Sequence, residues 1–222
     1  MLKHARQSGF TLAELMIALV INAMIFIGLI SIFVANLTHY TSALNINRLN
    51  QQLAAAMEIM ATDIRRAGYW SSAYTNIGTN QNTNPFMSST NGTDIAVGSP
   101  NSCITFTYDH NKTGTLPSVS SAADDDRYGY RLNNNTLQTR PWGASFICSA
   151  GSNAWENMLD PSIVVTALSF TLNSQTVTTG PGVIGLTMRS VDISMTAHLA
   201  SNTAVVKTLT QHVRISNDYF VP

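Results

Sequence analysis

The chain has 222 residues, carries 12 Lys and Arg against 12 Asp and Glu, and has a formal net charge of +0. This length accommodates one anchor helix and one further domain of about 150 residues. Because only 11% of the residues are charged and no basic stripe is present, the composition excludes a typical nucleic-acid-binding protein, and we expect no direct contact with nucleic acid.

A short basic leader precedes a long apolar run. Residues 1–9 contain Lys3 and Arg6, and residues 15–37 contain no ionisable side chain. A helix over that run can cross a hydrocarbon core of about 30 Å, and the positive leader holds the N-terminus in the cytoplasm. A secretory signal has a shorter apolar region with its cleavage site after it. Here the small-residue site, at Gly9, lies before the run, and cleavage there leaves the anchor on the protein.

The junction resembles the processing site of type IV prepilins and of the related pseudopilins of type II secretion. Its sequence is Gly9-Phe10-Thr11-Leu12-Ala13-Glu14-Leu15. The resemblance implies that a prepilin peptidase in the inner membrane cuts after Gly9 and methylates the new N-terminus at Phe10. Glu14 then takes the mature position at which this family carries its glutamate.

Glu14 is a carboxylate near the end of an apolar membrane segment. Such a group costs about 2.5–3.5 kcal/mol if it lies deep and unpaired, and the positive end of a helix offsets only about 0.3–1 kcal/mol. The resemblance implies that the α-amino group of Phe10 in a neighbouring subunit supplies the counter-charge during assembly. The alternative is a side chain that reaches the lipid head groups without such a partner.

An amphipathic helix follows the apolar run. Apolar residues recur three or four positions apart and predict one buried stripe, formed by Leu49, Leu53, Ala56, Met60, Ile64 and Ala67. No proline interrupts residues 10–67, Arg65 and Arg66 suit the negative end of a helix, and Gly68 is placed to cap it. We therefore divide the chain into a leader (1–9), a membrane half of the helix (10–38), an amphipathic half (39–67) and a β-rich globular domain (68–222).

Strand patterns dominate the remaining chain, after a Gly, Asn, Ser and Thr-rich stretch that predicts loop to about residue 98. The predicted strands are 103–108, 128–132, 136–140, 162–172, 191–199 and 205–213. A turn signal at Asn133-Asn134-Asn135 joins the second and third of these strands. One antiparallel sheet packed on the apolar stripe of the helix is the simplest way to bury both faces. The predicted fold class is α+β and pilin-like.

The two cysteines, Cys103 and Cys148, both lie in the predicted domain. In an oxidising periplasm we expect them to form one disulfide, which closes a loop of about 45 residues and stabilises by about 3–4 kcal/mol. The alternative is a pair of buried free thiols.

We expect neither an enzyme nor a cofactor, because the sequence has no Gly-x-Ser-x-Gly elbow and no Walker-type glycine loop. The triplet Asp124-Asp125-Asp126 lacks the alternating ligands, turn glycine and distal glutamate of an EF-hand loop, and we expect a solvated acidic loop, with metal binding as the alternative. The histidines have no metal-ligand spacing; they are His4, His39, His110, His198 and His212. We assign the aromatic cluster of Tyr69, Trp70 and Tyr74 to the domain core, with a binding patch as the alternative.

The second half of the chain resembles the PilW-type minor pilins and the related minor pseudopilin J of type II secretion. The resemblance lies in the helix end at 63–69, the hairpin at 128–138 and a closing strand that ends near Arg214. It implies a minor pilin of an initiation or tip complex, in the inner membrane with a single pass and a periplasmic domain, and later in the pilus. The implied partners are other minor pilins, the major pilin, the inner-membrane assembly platform and the prepilin peptidase. The alternatives are a pseudopilin of a type II secretion system and a membrane-anchored periplasmic adhesin or enzyme.

Overall fold

The computed structural model describes residues 9–76, 83–117, 126–140, 146–149, 155–177 and 185–221. The chain forms two compact units, Met1–Asn47 and Arg48–Pro222. It begins with the helix α1 (Leu12–Arg66), and a short 3₁₀ helix follows at Ala73–Asn76. The strands are β1 (Ala96–Gly98), β2 (Cys103–Thr107), β3 (Arg127–Asn133), β4 (Thr136–Arg140), β5 (Glu156–Asn157), β6 (Ile163–Val177), β7 (Gly185–Leu199), β8 (Asn202–Arg214) and β9 (Tyr219–Val221).

Helix α1 confirms the long helix predicted for residues 10–67 to within two residues at its start and one at its end. Every residue of the predicted stripe is buried in the second unit. The helix ends at Arg66, and Gly68 follows with φ of +75°, a left-handed conformation that glycine adopts without strain. The amide of Gly68 donates to the carbonyl oxygen of Thr107 at 2.8 Å, which ties the end of the helix to β2.

The strands form two antiparallel sheets, and the expectation of a single sheet was wrong. Sheet 1 has the order β1-β2-β3-β4-β5, and sheet 2 has the order β6-β7-β8, with β9 also paired to β7. The two groups of strands form separate hydrogen-bonded sheets within the described residues. Each sheet has a buried apolar face, and the second half of α1 shares one core with both of them. Two sheets can cover the apolar stripe of the helix as well as one sheet can. The strand patterns in the sequence are the same for both arrangements and do not distinguish them.

The predicted strands all exist; β4 has the predicted bounds, and the others differ in length. The turn between β3 and β4 consists of Asn134 and Asn135, with φ of 47° and 59°, the positive values that a two-residue hairpin loop requires. Strand β6 extends to Val177, beyond the predicted end at residue 172, and pairs with β7 along its whole length. The predicted loop up to residue 98 contains the 3₁₀ helix and β1.

The core of the second unit combines the helical stripe with large side chains from both sheets. Ile104 and Phe106 of sheet 1 and Phe170 of sheet 2 are fully buried. The assignment of the aromatic cluster to this core was wrong for two of its members, because Tyr69 is 38% exposed and Tyr74 is 72% exposed. Both follow the helix end, where the chain has left the packed stripe.

Candidate processing and assembly site

The N-terminal end of α1 is closed by a capping box. Thr11 precedes the first helical residue, and its backbone amide and hydroxyl both donate to Oε2 of Glu14 at 2.9 Å. The amide of Glu14 donates in return to Oγ1 of Thr11 at 3.3 Å. The sequence Thr-x-x-Glu forms this arrangement because each side chain satisfies an amide that the first helical turn leaves unbonded. Glu14 therefore lies in the first turn, as predicted, and its carboxylate has a partner within its own chain.

Gly9 and Phe10 lie outside the helix, immediately before the cap. Phe10 is 89% exposed, and a Cβ added at Gly9 would meet no atom within 4 Å. The fold therefore has room for a side chain at position 9 and does not itself require glycine there. An exposed, non-helical peptide bond between these residues is sterically open to a peptidase.

The first unit presents an apolar surface on all sides of the helix. Large side chains from Leu12 to Leu37 are between 48% and 79% exposed, and no charged side chain follows Glu14 in that range. By length and composition α1 can cross a membrane, and none of its most apolar window is buried. A helix that is apolar all round needs lipid or other helices around it, because so large an apolar surface is not stable in water.

The C-terminal end of α1 is closed by residues from the end of the described chain. The amide of Ser216 donates to the carbonyl oxygen of Arg65 at 2.9 Å. Nδ2 of Asn217 donates to the carbonyl oxygens of Arg66 at 3.2 Å and of Ala67 at 3.0 Å. These bonds satisfy carbonyl groups that a helix end leaves free, and they join the helix to the segment after sheet 2.

The segment around Cys148 is held against sheet 1. The predicted Cys103–Cys148 disulfide is present, with a Cα–Cα distance of 6.0 Å. Nη1 of Arg131 donates to the carbonyl oxygens of Cys148 at 3.2 Å and of Ser149 at 2.5 Å. The guanidinium also lies 4.4 Å from the ring centroid of Trp155, a distance at which a cation is attracted to the ring face.

The described histidines occupy separate places. His110 hydrogen-bonds through Nδ1 to the hydroxyl of Tyr128 at 3.0 Å, and His212 bonds through Nδ1 to Oδ1 of Asp192 at 2.6 Å. The bond from His212 lowers the pKa of Asp192. His39 and His198 lie elsewhere, His4 lies outside the described residues, and the described part of the chain has no group of three or more His, Cys, Asp or Glu side chains placed to hold a metal.

One residue of the acidic triplet, Asp126, differs from its prediction. Asp124 and Asp125 lie outside the described residues. Asp126 is only 1% exposed, and the expectation of a solvated loop was wrong for it. Burial raises the pKa of Asp126, since a charged carboxylate loses its hydration there.

The sequence reading missed one buried ion pair. Arg189 is 6% exposed on the inner face of β7, and its Nη1 lies 2.6 Å from Oδ1 of Asp94. The sequence contained a signal for Arg189, which lies two positions before Val191. Residues two positions apart in a strand face the same side of the sheet, and so Arg189 faces the same side as Val191. Its acidic partner comes from a loop and has no comparable signal.

Two comparisons with protein families match this chain. Residues 4–30 match the prokaryotic N-terminal methylation motif. Residues 42–215, well over half of the chain, match the family of prepilin peptidase-dependent protein B. The chain belongs to this family. No curated protein and no solved structure gave a significant match.

Family membership shows that this protein is prepilin-like. Both matches describe pilin-like structural proteins rather than known enzymes. Dependence on a prepilin peptidase implies that such an enzyme processes the chain and that the chain belongs to a pilus-type system. The single apolar helix near the N-terminus fits a membrane-anchored pilin.

Proposed function

We propose that this prepilin-like protein is a minor pilin of a type IV pilus, and that it belongs to the initiation or tip complex that primes assembly. The observation that carries the proposal is its membership of the prepilin peptidase-dependent protein B family through residues 42–215. The wholly exposed apolar half of α1 supports it, since that surface suits storage in a membrane and later packing among other pilin helices.

The proposed maturation begins with cleavage between Gly9 and Phe10, followed by methylation of Phe10. The exposed bond before the helix cap supports this assignment. Residues 1–9 are then the leader, residues 10–38 the membrane half, residues 39–67 the amphipathic half and residues 68–222 the globular domain. We expect intact-mass analysis of the protein from its native membrane to show loss of residues 1–9 and gain of one methyl group. A chain that retains Met1 contradicts the assignment.

The globular domain is proposed to lie in the periplasm before assembly and on the pilus afterwards. The Cys103–Cys148 disulfide supports this location, because disulfides persist in oxidising compartments and are rare in the cytosol. The basic leader supports the same orientation, with Lys3 and Arg6 on the cytoplasmic side.

The proposed partners are other minor pilins, the major pilin, the inner-membrane assembly platform and the prepilin peptidase. Contact with the pilins is assigned to the apolar half of α1, where Glu14 is proposed to meet the α-amino group of Phe10 in a neighbouring subunit. The position of Glu14 in the first helical turn supports this role, because its carboxylate lies next to the end of the chain that cleavage creates.

A deletion in the native host tests the proposed role. We expect the deletion strain to make the major pilin normally, to show few surface pili, and to regain them when the intact gene is returned. A complementing gene with Gly9→Val is the matched control, because the fold tolerates a side chain there and only processing should fail. Normal piliation and twitching in the deletion strain contradict the minor pilin role.

A pseudopilin of a type II secretion system is the second candidate, since pseudopilins resemble prepilins at the same N-terminal motif. The same deletion strain distinguishes the two functions. Loss of protein secretion with normal piliation supports the pseudopilin, and loss of pili with normal secretion supports the minor pilin.

A further inference from the structure

The loop that follows β2 contains an alternating pattern of oxygen-bearing side chains. Its sequence from position 109 is Asp109-His110-Asn111-Lys112-Thr113-Gly114-Thr115. Side-chain oxygens at the first, third and fifth positions with glycine at the sixth are the features of the first half of a calcium-binding loop. The acidic triplet at 124–126 lies downstream of this pattern.

The backbone of this loop has the turn that the pattern requires. Gly114 has φ of +74°, and its amide donates to Oδ2 of Asp109 at 3.1 Å. The amide and the hydroxyl of Ser71 donate to the same oxygen, the amide at 2.9 Å. Oδ2 of Asp109 therefore closes the loop, and Oδ1 is the oxygen that remains for another partner.

Two buried carboxylate oxygens at this loop have no hydrogen-bond partner. Asp109 and Asp126 are each 1% exposed, and Oδ1 of Asp109 and Oδ2 of Asp126 have no partner among the described residues. The other oxygen of Asp126 accepts from the amide of His110 at 2.9 Å, and this bond places the Asp126 carboxylate against the start of the loop. Buried carboxylate oxygens without partners are costly, and a water molecule or an ion commonly satisfies them.

The two carboxylates also carry like charges. Asp109 and Asp126 are both buried at the start of this loop, where the amide of His110 donates to Oδ1 of Asp126 at 2.9 Å. A cation bound there supplies the opposite charge and binds both free oxygens.

We propose that this loop binds one calcium ion, with the free oxygens of Asp109 and Asp126 as its charged ligands. In the structure the hydroxyl of Thr113 donates to Oδ1 of Asn111 at 2.9 Å and to the carbonyl oxygen of Thr115 at 3.1 Å. These three oxygens exchange those bonds for the ion in the proposed site, and water fills the remaining positions. Calcium fits because it accepts six to eight oxygen ligands of mixed type in flexible geometry. Zinc and other metals that favour histidine and cysteine do not fit this set of oxygens.

The loop of the proposed site is hydrogen-bonded to the residues that follow α1. The amide of Asp109 donates to the carbonyl oxygen of Tyr69 at 2.9 Å, and Nε1 of Trp70 donates to the carbonyl oxygen of Gly114 at 2.8 Å. Calcium therefore stiffens the junction between the helix end and sheet 1. Because the site has only two charged ligands, we expect a weak affinity, like that of extracellular calcium-binding modules, with a Kd of about 10⁻⁴–10⁻³ M. This inference does not depend on the minor pilin role.

The test uses the full-length protein in detergent micelles. We expect calorimetric titration with CaCl₂ to show one site, and Tm to rise with calcium because the ion binds only the folded loop. We also expect Tb³⁺, which occupies calcium sites, to emit when Trp70 is excited, because the indole contacts the loop. Calcium should displace Tb³⁺ and abolish the emission.

Asp109→Asn and Asp126→Asn keep the shape of each side chain and remove one ligand charge. We expect each to weaken calcium binding by about tenfold or more. Without calcium we expect Tm of each variant to equal or exceed that of the wild type, since a buried charge is removed. Glu156→Gln, at an exposed position on β5, is the matched control and should bind as the wild type does.

Absence of calcium binding by the wild-type protein up to about 10 mM overturns the proposal, since that exceeds the expected Kd at least tenfold. Wild-type affinity in both Asp variants overturns it as well. If instead Asp109→Asn lowers Tm equally with and without calcium, Asp109 only closes the loop, and the proposal is wrong.

Discussion

At the residue scale, Glu14 has two possible partners. Within the single chain its carboxylate accepts from the amide and hydroxyl of Thr11, as the capping residue of a helix does. In an assembly the proposed partner is the α-amino group of a neighbouring Phe10. A capping box satisfies the hydrogen bonds of the carboxylate and leaves its charge uncompensated, and so the two contacts serve different needs.

Substitution of Glu14 separates these two needs. Glu14→Gln retains a side chain that can complete a capping box, whereas Glu14→Ala removes both the cap and the charge. We expect both variants to be cleaved and inserted normally, because the leader and the apolar run are unchanged. Loss of one member of a poorly solvated ion pair costs about 3–5 kcal/mol, and we expect both variants to lose co-purification with other pilins from membranes.

The glutamine variant decides between the explanations. If Glu14→Gln associates with its partners as the wild type does while Glu14→Ala does not, capping is sufficient and the intermolecular ion pair is unnecessary. An immunoblot for the processed form provides the control for cleavage in every strain.

At the element scale, α1 is closed at both ends by side chains, one local and one distant. Thr11 and Glu14 lie within one turn of each other, and their spacing is visible in the sequence. Asn217 caps the other end from a position 151 residues beyond Arg66. The second cap depends on the tertiary structure, because Asn217 follows sheet 2 and reaches the helix only through the path of that sheet.

Asn217→Ala tests the distant cap. The variant loses both bonds to the carbonyl oxygens of Arg66 and Ala67, and we expect it to lower the free energy of unfolding by about 1–2 kcal/mol. Urea denaturation of the full-length protein, followed by the circular dichroism of the β-sheets, measures the change. Ser201→Ala, at an exposed turn, should change stability by less than about 0.5 kcal/mol. Equal effects of the two substitutions would show that Asn217 is not a cap.

At the scale of the whole molecule, the disulfide links β2 to the segment before β5. It closes a loop with a sequence separation of 45 residues, within which sheet 1 gains β3 and β4. The bond restricts the unfolded chain more than the folded one. It therefore stabilises the protein mainly by reducing the conformational entropy that the chain loses on folding.

Replacement of both cysteines by serine measures that contribution. We expect the Cys103→Ser, Cys148→Ser double variant to unfold at lower urea, with a loss of about 3–4 kcal/mol. A reducing agent should lower the stability of the wild type by a similar amount and leave the double variant unchanged. Equal stability of wild type and double variant in oxidising buffer contradicts the prediction.

The sequence by itself determined the long helix, the motif at its N-terminus and the strands β2, β3, β4, β6, β7 and β8. The burial of Leu49, Leu53 and Ile64 was predictable because the helical period places them on one side of a single element. The hairpin at Asn134 and Asn135 was predictable because asparagine tolerates the positive φ that its turn needs. The spacing of Thr11 and Glu14 contains a capping box, for the same local reason.

Only the tertiary structure decided how these elements combine. Periodicity shows which face of a strand is buried and does not show which strand lies beside it, and so one sheet and two sheets have the same pattern. Asp109 and Asp126 meet at one loop because β2 and β3 pair, although 17 positions separate them in the sequence. Their burial, and the partnerless oxygens on which the calcium site depends, follow from that pairing, because solvent exclusion is a property of packed layers and not of any one segment.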